Sequence, residues 1–200
     1  MLSGASDGSS QKIAGELQAS IQVKQRVIAE QLATLNTILG VLIQALGAGK
    51  KVILFGNGGS AADSQHIAAE LVGRFRRDRK ALPAIALTTD TSILTSIGND
   101  YGFENLFSRQ IEALGQEGDV AIAISTSGNS PNVIKAVRVA RERGITTIGF
   151  TGEDGGSLKE AADVCFQVPS RNTARIQEAH ITAAHALCEL IEQVICRDNA

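Results

Sequence analysis

The sequence predicts an α/β fold, a three-layer αβα sandwich around a five-stranded parallel sheet. Three observations predict it. Five short runs are apolar on both faces, as strands covered on both sides of a parallel sheet must be. Stretches of helical periodicity separate them in alternation. Polar, glycine-rich segments follow the runs at their carboxyl ends, where open α/β sheets hold ligands. A chain of 200 residues with 44% hydrophobic residues can bury one sizeable core. Residues 1–10, small and polar, are expected to be a disordered tail, and residues 11–200 a single domain that includes a helical segment at its start.

The elements follow in order. Ile13, Leu17, Ile21, Ile28, Leu32, Leu35, Leu39, Leu42 and Leu46 are spaced by three, four or seven and end at Gly47-Ala48-Gly49. That spacing predicts one long amphipathic helix or a pair of helices. Its apolar stripe needs a cover, either the rest of the domain or a second subunit. The first strand is Val52-Ile53-Leu54-Phe55, followed by a helix over 61–74. The second is Ala84-Ile85-Ala86-Leu87, followed by helices over 91–98 and 104–114. The third, Val120 to Ile124, leads into a helix over 131–143. The fourth, Thr146 to Phe150, leads into 157–162, and the fifth, Val164 to Val168, into a last helix over about 173–195.

Composition excludes several classes. Nineteen basic residues against 21 acidic ones leave a net charge of −2, without a broad basic surface for nucleic acid. The one basic run, Arg74-Phe75-Arg76-Arg77-Asp78-Arg79-Lys80, reads as a solvated helix end. Cys165, Cys188 and Cys196 are odd in number and lack C-x-x-C spacing, which suits a reducing, cytoplasmic compartment and no disulfide framework. The first ten residues have neither the basic nor the apolar region of a signal peptide, and no apolar run is expected to span a bilayer.

Ser125-Thr126-Ser127-Gly128-Asn129-Ser130-Pro131 places four hydroxyls within six residues, just before a helix. Ser130 suits the N-cap and Pro131 the first helical position. Hydroxyl donors beside a helix N-terminus suit a phosphate monoester, and the bland alternative is a turn that merely caps its helix. No Lys follows, so this is not a nucleotide P-loop. Gly56-Asn57-Gly58-Gly59-Ser60-Ala61 matches a G-x-G-x-x-A dinucleotide fingerprint. The acidic residue required by that reading, Asp90, lies about thirty residues on instead of about twenty, which ranks a nicotinamide cofactor below a sugar phosphate.

Of three histidines, His66 lies four residues before Glu70 on one helix face. Such a pair can ligate a metal, transfer protons, or make an ordinary helix-surface hydrogen bond. The last helix carries Gln177, Glu178, His180 and His185. Gln177 and His185 fall about 80° apart around that helix and about 12 Å along it, too far for one small ion without side chains leaning together or a second subunit contributing. His180, in an apolar stretch, suits a core position.

Taken together these segments resemble the phosphoheptose isomerase branch of the sugar isomerase (SIS) superfamily. The likeness is carried by residues 55–66, by Ala86-Leu87-Thr88-Thr89-Asp90 through Asn99-Asp100-Tyr101-Gly102, by Gly118-Asp119-Val120 through Ser130, and by Ile176-Gln177-Glu178-Ala179-His180 with His185 beyond. The resemblance implies a flavodoxin-like SIS domain and a ketose–aldose isomerase converting sedoheptulose 7-phosphate to D-glycero-D-manno-heptose 7-phosphate, a homotetramer with interface-built sites and one zinc per subunit. It implies metal positions at His66, Glu70, Gln177 and His185. It implies substrate positions at Asn57, Gly58, Gly59, Glu70, Asn99, Asp100, Ser125, Thr126, Ser127, Ser130 and Gln177. Glu70 and His185 are the candidate catalytic pair. Two other SIS roles compete: a non-catalytic protein that binds the replication initiator, which residues 169–178 also resemble, and a sugar-phosphate sensor. The first lacks counterparts of Glu70 and His185, and the second usually carries a DNA-binding domain.

Overall fold

The computed structural model describes residues 6–197. Helix α1 (Ser6–Gly47) is followed by β1 (Val52–Gly56), α2 (Gly59–Val72), β2 (Ala84–Ala86) and α3 (Thr91–Tyr101). After a single 3-10 turn at Phe103–Asn105 come α4 (Ser108–Leu114), β3 (Val120–Ile124), α5 (Pro131–Glu142), β4 (Thr146–Thr151), α6 (Gly156–Ala161), β5 (Val164–Gln167) and α7 (Thr173–Arg197). All neighbouring strands are parallel, in the order β2-β1-β3-β4-β5. The expected sandwich is therefore present. β1 and β3 bury every residue, which is why their sequences show no alternation.

Two apolar layers flank the sheet. Ile53, Phe55, Ala121 and Ala123 face α4 and α5, while Val52, Leu54, Val120 and Ile122 face α1, α2 and α7. Alternate residues of each strand thus serve opposite layers. The N-terminal stripe is one unbroken helix. Its lower half buries Val27, Ile38, Leu42, Ala45 and Leu46, with α7 and β5 as neighbours. Buried Arg175 of α7 ties its upper half down, donating to the Glu16 carboxylate and to Glu178.

Ile13, Leu17, Ile21, Ile28 and Leu32 stay exposed, so the domain covers only part of the stripe. An 18-residue window within Gly8–Gly47 has a mean hydropathy of 1.4, enough by length and composition to cross a membrane. This corrects the expectation that no stretch qualifies. Lys12, Glu16, Lys24, Arg26 and Glu30 still mark the upper half as amphipathic. Of the expected tail, residues 1–5 lie outside the described residues, and 6–10 form the first turns of α1.

His180 is a core residue, as its apolar setting suggests. Its Nε2 lies 3.0 Å from the Thr151 carbonyl, and its ring packs between Phe150 and Phe166. Burial drives its pKa down to about 4, against the raising pull of the Thr151 hydrogen bond. The folded chain thus refuses a proton that the unfolded chain accepts near its ordinary value of 6.5. Stability is full above pH 6.5 and falls as pH drops toward 4, by about 3 kcal/mol at most from this group. Urea unfolding of the protein and of a His180→Gln variant at pH 7.5 and 4.5 checks it. The wild type should lose more stability than the variant, and equal losses would refute the assignment.

Candidate functional site

The order β2-β1-β3 places a topological switch point between β1 and β3, and the loops leaving these adjacent strands are the two singled out by sequence. β1 ends on Gly56, where a side chain would collide with the Ile124 carbonyl and Ser60. Gly58 then turns with φ 56°, and α2 begins at Gly59. At Gly59 a side chain would meet the amide of Gln177, which would have to shift. The amide of Gln177 on α7 thus lies beside the start of α2. Asn57 and Asn132 exchange amide hydrogen bonds of 3.0 and 2.9 Å, joining this loop to the first turn of α5. Nothing in the sequence pattern singled out Asn132; its partner is 75 residues away.

The loop after β3 is built from hydroxyls facing one another. The Ser125 and Ser130 oxygens are 3.0 Å apart, and those of Ser125 and Ser127 3.4 Å. Ser130 holds the N-cap position and Pro131 follows it, as expected, but the Ser130 hydroxyl makes no capping bond and turns toward Ser125. The hydroxyls therefore cluster beside the α5 N-terminus. Thr126, Ser127 and Asn129 line a cavity of about 330 Å³ closed by the 152–154 turn and the start of α7. Asn129 accepts a hydrogen bond from the Ser157 N–H, which fastens the loop to α6. A second, more apolar cavity of about 390 Å³ runs from Gly56, Asn57 and Gly58 toward α3 and the 3-10 turn.

His66 and Glu70 project from α2, and α7 crosses to bring His185 against them. The Nε2 atom of His66 lies 3.0 Å from Glu70 Oε1 and 3.2 Å from His185 Nε2. One ligand atom from each of the three residues lies within 4.8 Å of the others. With a proton on His66 Nε2 these atoms can hydrogen-bond; with none, their lone pairs face one another and can share one cation. Ligands about 2.05 Å from a tetrahedral zinc stand about 3.3 Å apart, close to both observed separations. The donor set of two imidazoles and a carboxylate fits zinc. The cluster is open, since the His66 side chain is 47% exposed. Phe75 stacks on the outer side of His185, with ring centroids 5.3 Å apart.

Asp63 belongs to this face as well. It lies three residues before His66 and seven before Glu70, a spacing legible in the sequence but not used there. Burial raises its carboxyl pKa, while His66 and His185 pull it down. Its Oδ2 is buried without a hydrogen-bond partner.

Other expectations resolve differently. Asn99 and Asp100 sit exposed on α3 and hydrogen-bond to each other, without a bond to the hydroxyl loop or the histidine cluster. Asp90 accepts from the Ile93 N–H as the N-cap of α3, which accounts for it without a nucleotide ribose. The basic run is solvated after the end of α2 at Arg74, Arg76, Arg77 and Lys80, as expected, but not at Arg79. α2 stops at Val72, and the Arg79 side chain is only 4% exposed because Glu192 of α7 lies beside it.

Known proteins place the chain in a family. The SIS domain family profile matches residues 17–152. A phosphoheptose isomerase of Roseiflexus sp. is 56% identical over 190 residues, covering 95% of this chain and 96% of that protein. The solved phosphoheptose isomerase of Neisseria gonorrhoeae superposes with a TM-score of 0.87 at 46% identity, over 92% of this chain and 98% of that one. That of Francisella tularensis gives a TM-score of 0.89 at 38% identity, again over 92% and 98%. With full-length relatives at this identity, the chain belongs to the phosphoheptose isomerase branch of the SIS domain family and is a sugar-phosphate isomerase.

Proposed function

We propose that the chain converts sedoheptulose 7-phosphate to D-glycero-D-manno-heptose 7-phosphate, opening the synthesis of ADP-heptose for the lipopolysaccharide core. The convergence of His66, Glu70 and His185, from the two helices α2 and α7, into one cluster able to hold a metal is the observation that supports it. Ser125, Thr126, Ser127 and Ser130 bind the phosphate. Asn57, Gly58, Gly59 and Gln177 receive the sugar; the closeness of Gln177 to Gly59 supports grouping them.

Moving a carbonyl from C2 to C1 removes a proton from C1 and returns it to C2, with an enediol between. Glu70 is the base that takes and returns the carbon-bound proton, and His185 moves the proton between the two oxygens. His66, Glu70, Gln177 and His185 would hold one zinc per subunit, and bound zinc supplies polarisation of the carbonyl. Gln177 joins this set by family likeness alone; its side-chain amide lies beside Gly59. Asn99 and Asp100 act on the substrate across a subunit boundary. The openness of the cluster and the exposed α1 residues Ile13, Leu17 and Ile28 support a homotetramer with shared sites. The free thiols of Cys165 and Cys188 suit the cytoplasm.

A panel of C5 to C7 ketose phosphates, followed by NMR with and without added zinc, tests the reading. Turnover should be greatest on the heptulose phosphate, and none on that substrate would overturn it.

A further inference from the structure

We propose that the buried Arg79–Glu192 pair is a positioning clamp for the His66/Glu70/His185 cluster, fixing the approach of α2 to α7 at which the three ligand atoms meet. The inference rests on reading that cluster as a zinc site. His66 and Glu70 come from one helix and His185 from the other, so the separation of the helices sets the geometry of the cluster.

The segment after α2 joins the two helices. Arg79 donates from one guanidinium nitrogen to the Leu71 and Gly73 carbonyls at 2.8 and 3.2 Å, and from another to the Glu70 carbonyl at 2.8 Å. These are carbonyls at the end of α2, one of them on the backbone of Glu70 itself. The remaining nitrogen, Nε, lies 3.0 Å from Glu192 Oε1, an ion pair without hydrogen-bond alignment, and the two side chains are 4% and 1% exposed.

Glu192 in turn gathers the backbone N–H groups of Phe75, Arg76 and Arg77 at 2.7, 2.9 and 3.1 Å. Burial alone would raise its pKa, but these donors and Arg79 more than offset this and hold it low, as a carboxylate. The backbone so held presents Phe75 to His185, ring on ring at an angle of 27°. One end of the network therefore grips the backbone of Glu70, and the other steadies the ring of His185. Glu192 lies seven residues beyond His185, about 10 Å along the helix, so it acts through other groups and not on the reacting atoms.

The test compares the wild type with Glu192→Gln and with Asp119→Asn. Asp119 is an equally buried carboxylate, paired with Lys51 at the start of β3, remote from the cluster. Zinc affinity is measured by chelator competition on protein shown to be folded by circular dichroism. Glu192→Gln should weaken zinc binding about 10- to 100-fold, the range for groups that orient metal ligands. Asp119→Asn should lower stability yet leave zinc affinity within about twofold, as expected of a distant site. Wild-type affinity in Glu192→Gln, or equal weakening in Asp119→Asn, overturns the clamp.

A metal-free readout separates this inference from the zinc reading. With ¹³C-labelled histidine, the His185 resonances should move in Glu192→Gln as the Phe75 ring shifts, while those of His180 stay. If the wild type binds no zinc, the metal reading fails alone and these resonances decide the clamp; unmoved His185 signals refute it. Should Glu192→Gln not fold, Arg79→Lys keeps the charge but loses the fork to the Glu70 and Leu71 carbonyls, and the same outcomes apply.

Discussion

Glu70→Gln should lower kcat by about 10²–10⁴-fold, the range for a positioned general base, while the protein stays folded. Gln keeps the length of the side chain and an oxygen able to approach His66, now 3.0 Å from Glu70. It loses the negative charge and the basicity. Loss of turnover through weaker metal binding has a different signature: activity returns when zinc is raised. His66→Gln removes a proposed ligand without touching the proposed base, so its activity should recover with excess zinc. That of Glu70→Gln should not. Steady-state kinetics on the heptulose phosphate across a zinc titration separates the two. Near-normal turnover of folded Glu70→Gln would remove Glu70 from the mechanism.

What the sequence revealed, and what it hid, follows from the range of the interactions involved. The strands were legible because burial on both faces writes a continuous apolar run, as in Val120 to Ile124. The pairing of His66 with Glu70 was legible because one helix spaces them. The meeting of His66 with His185 was legible only through the family resemblance and not from spacing, since 119 residues separate them and only the crossing of α7 over α2 joins them. Within the basic run, which is otherwise exposed, the burial of Arg79 was hidden for the same reason. A charge run ordinarily means a wet surface, and the carboxylate that makes Arg79 a buried residue is supplied by Glu192 from the other end of the chain. The hydroxyl loop lay between these cases. Its composition was evident, but the turning of Ser130 toward Ser125 instead of its own helix depends on β3 burying Ser125. Helix spacing alone left Gln177 and His185 about 12 Å apart. In the fold the Gln177 amide lies beside Gly59 and His185 against His66.

Gly128→Ala should cost about 3 kcal/mol or more of stability and raise KM for the sugar phosphate at least about tenfold, because two penalties fall on one residue. Gly128 has φ 66°, a left-handed conformation that costs an L side chain about 1–2 kcal/mol. A methyl group there would also overlap the backbone carbonyl of Gly155. Backbone meeting backbone has no rotamer change to relieve it. Gly156 repeats the condition from the other side: its φ is 55°, and a Cβ there would approach the Ser127 carbonyl to 2.6 Å. The two loops are thus pressed together through glycines, and the Leu158 N–H donates to the Gly128 carbonyl at 2.9 Å across the contact. Forcing them apart tilts the loop that carries Ser125, Thr126, Ser127 and Ser130. The proposed phosphate contacts are then lost together, while Glu70 and His185, on α2 and α7, keep their places. The expected signature is therefore a raised KM with a smaller change in kcat, beside a lower urea midpoint. If the variant unfolds early but keeps wild-type KM at low temperature, the hydroxyl loop does not hold the phosphate. If neither quantity changes, the close approach of the two loops is not a feature of the folded protein.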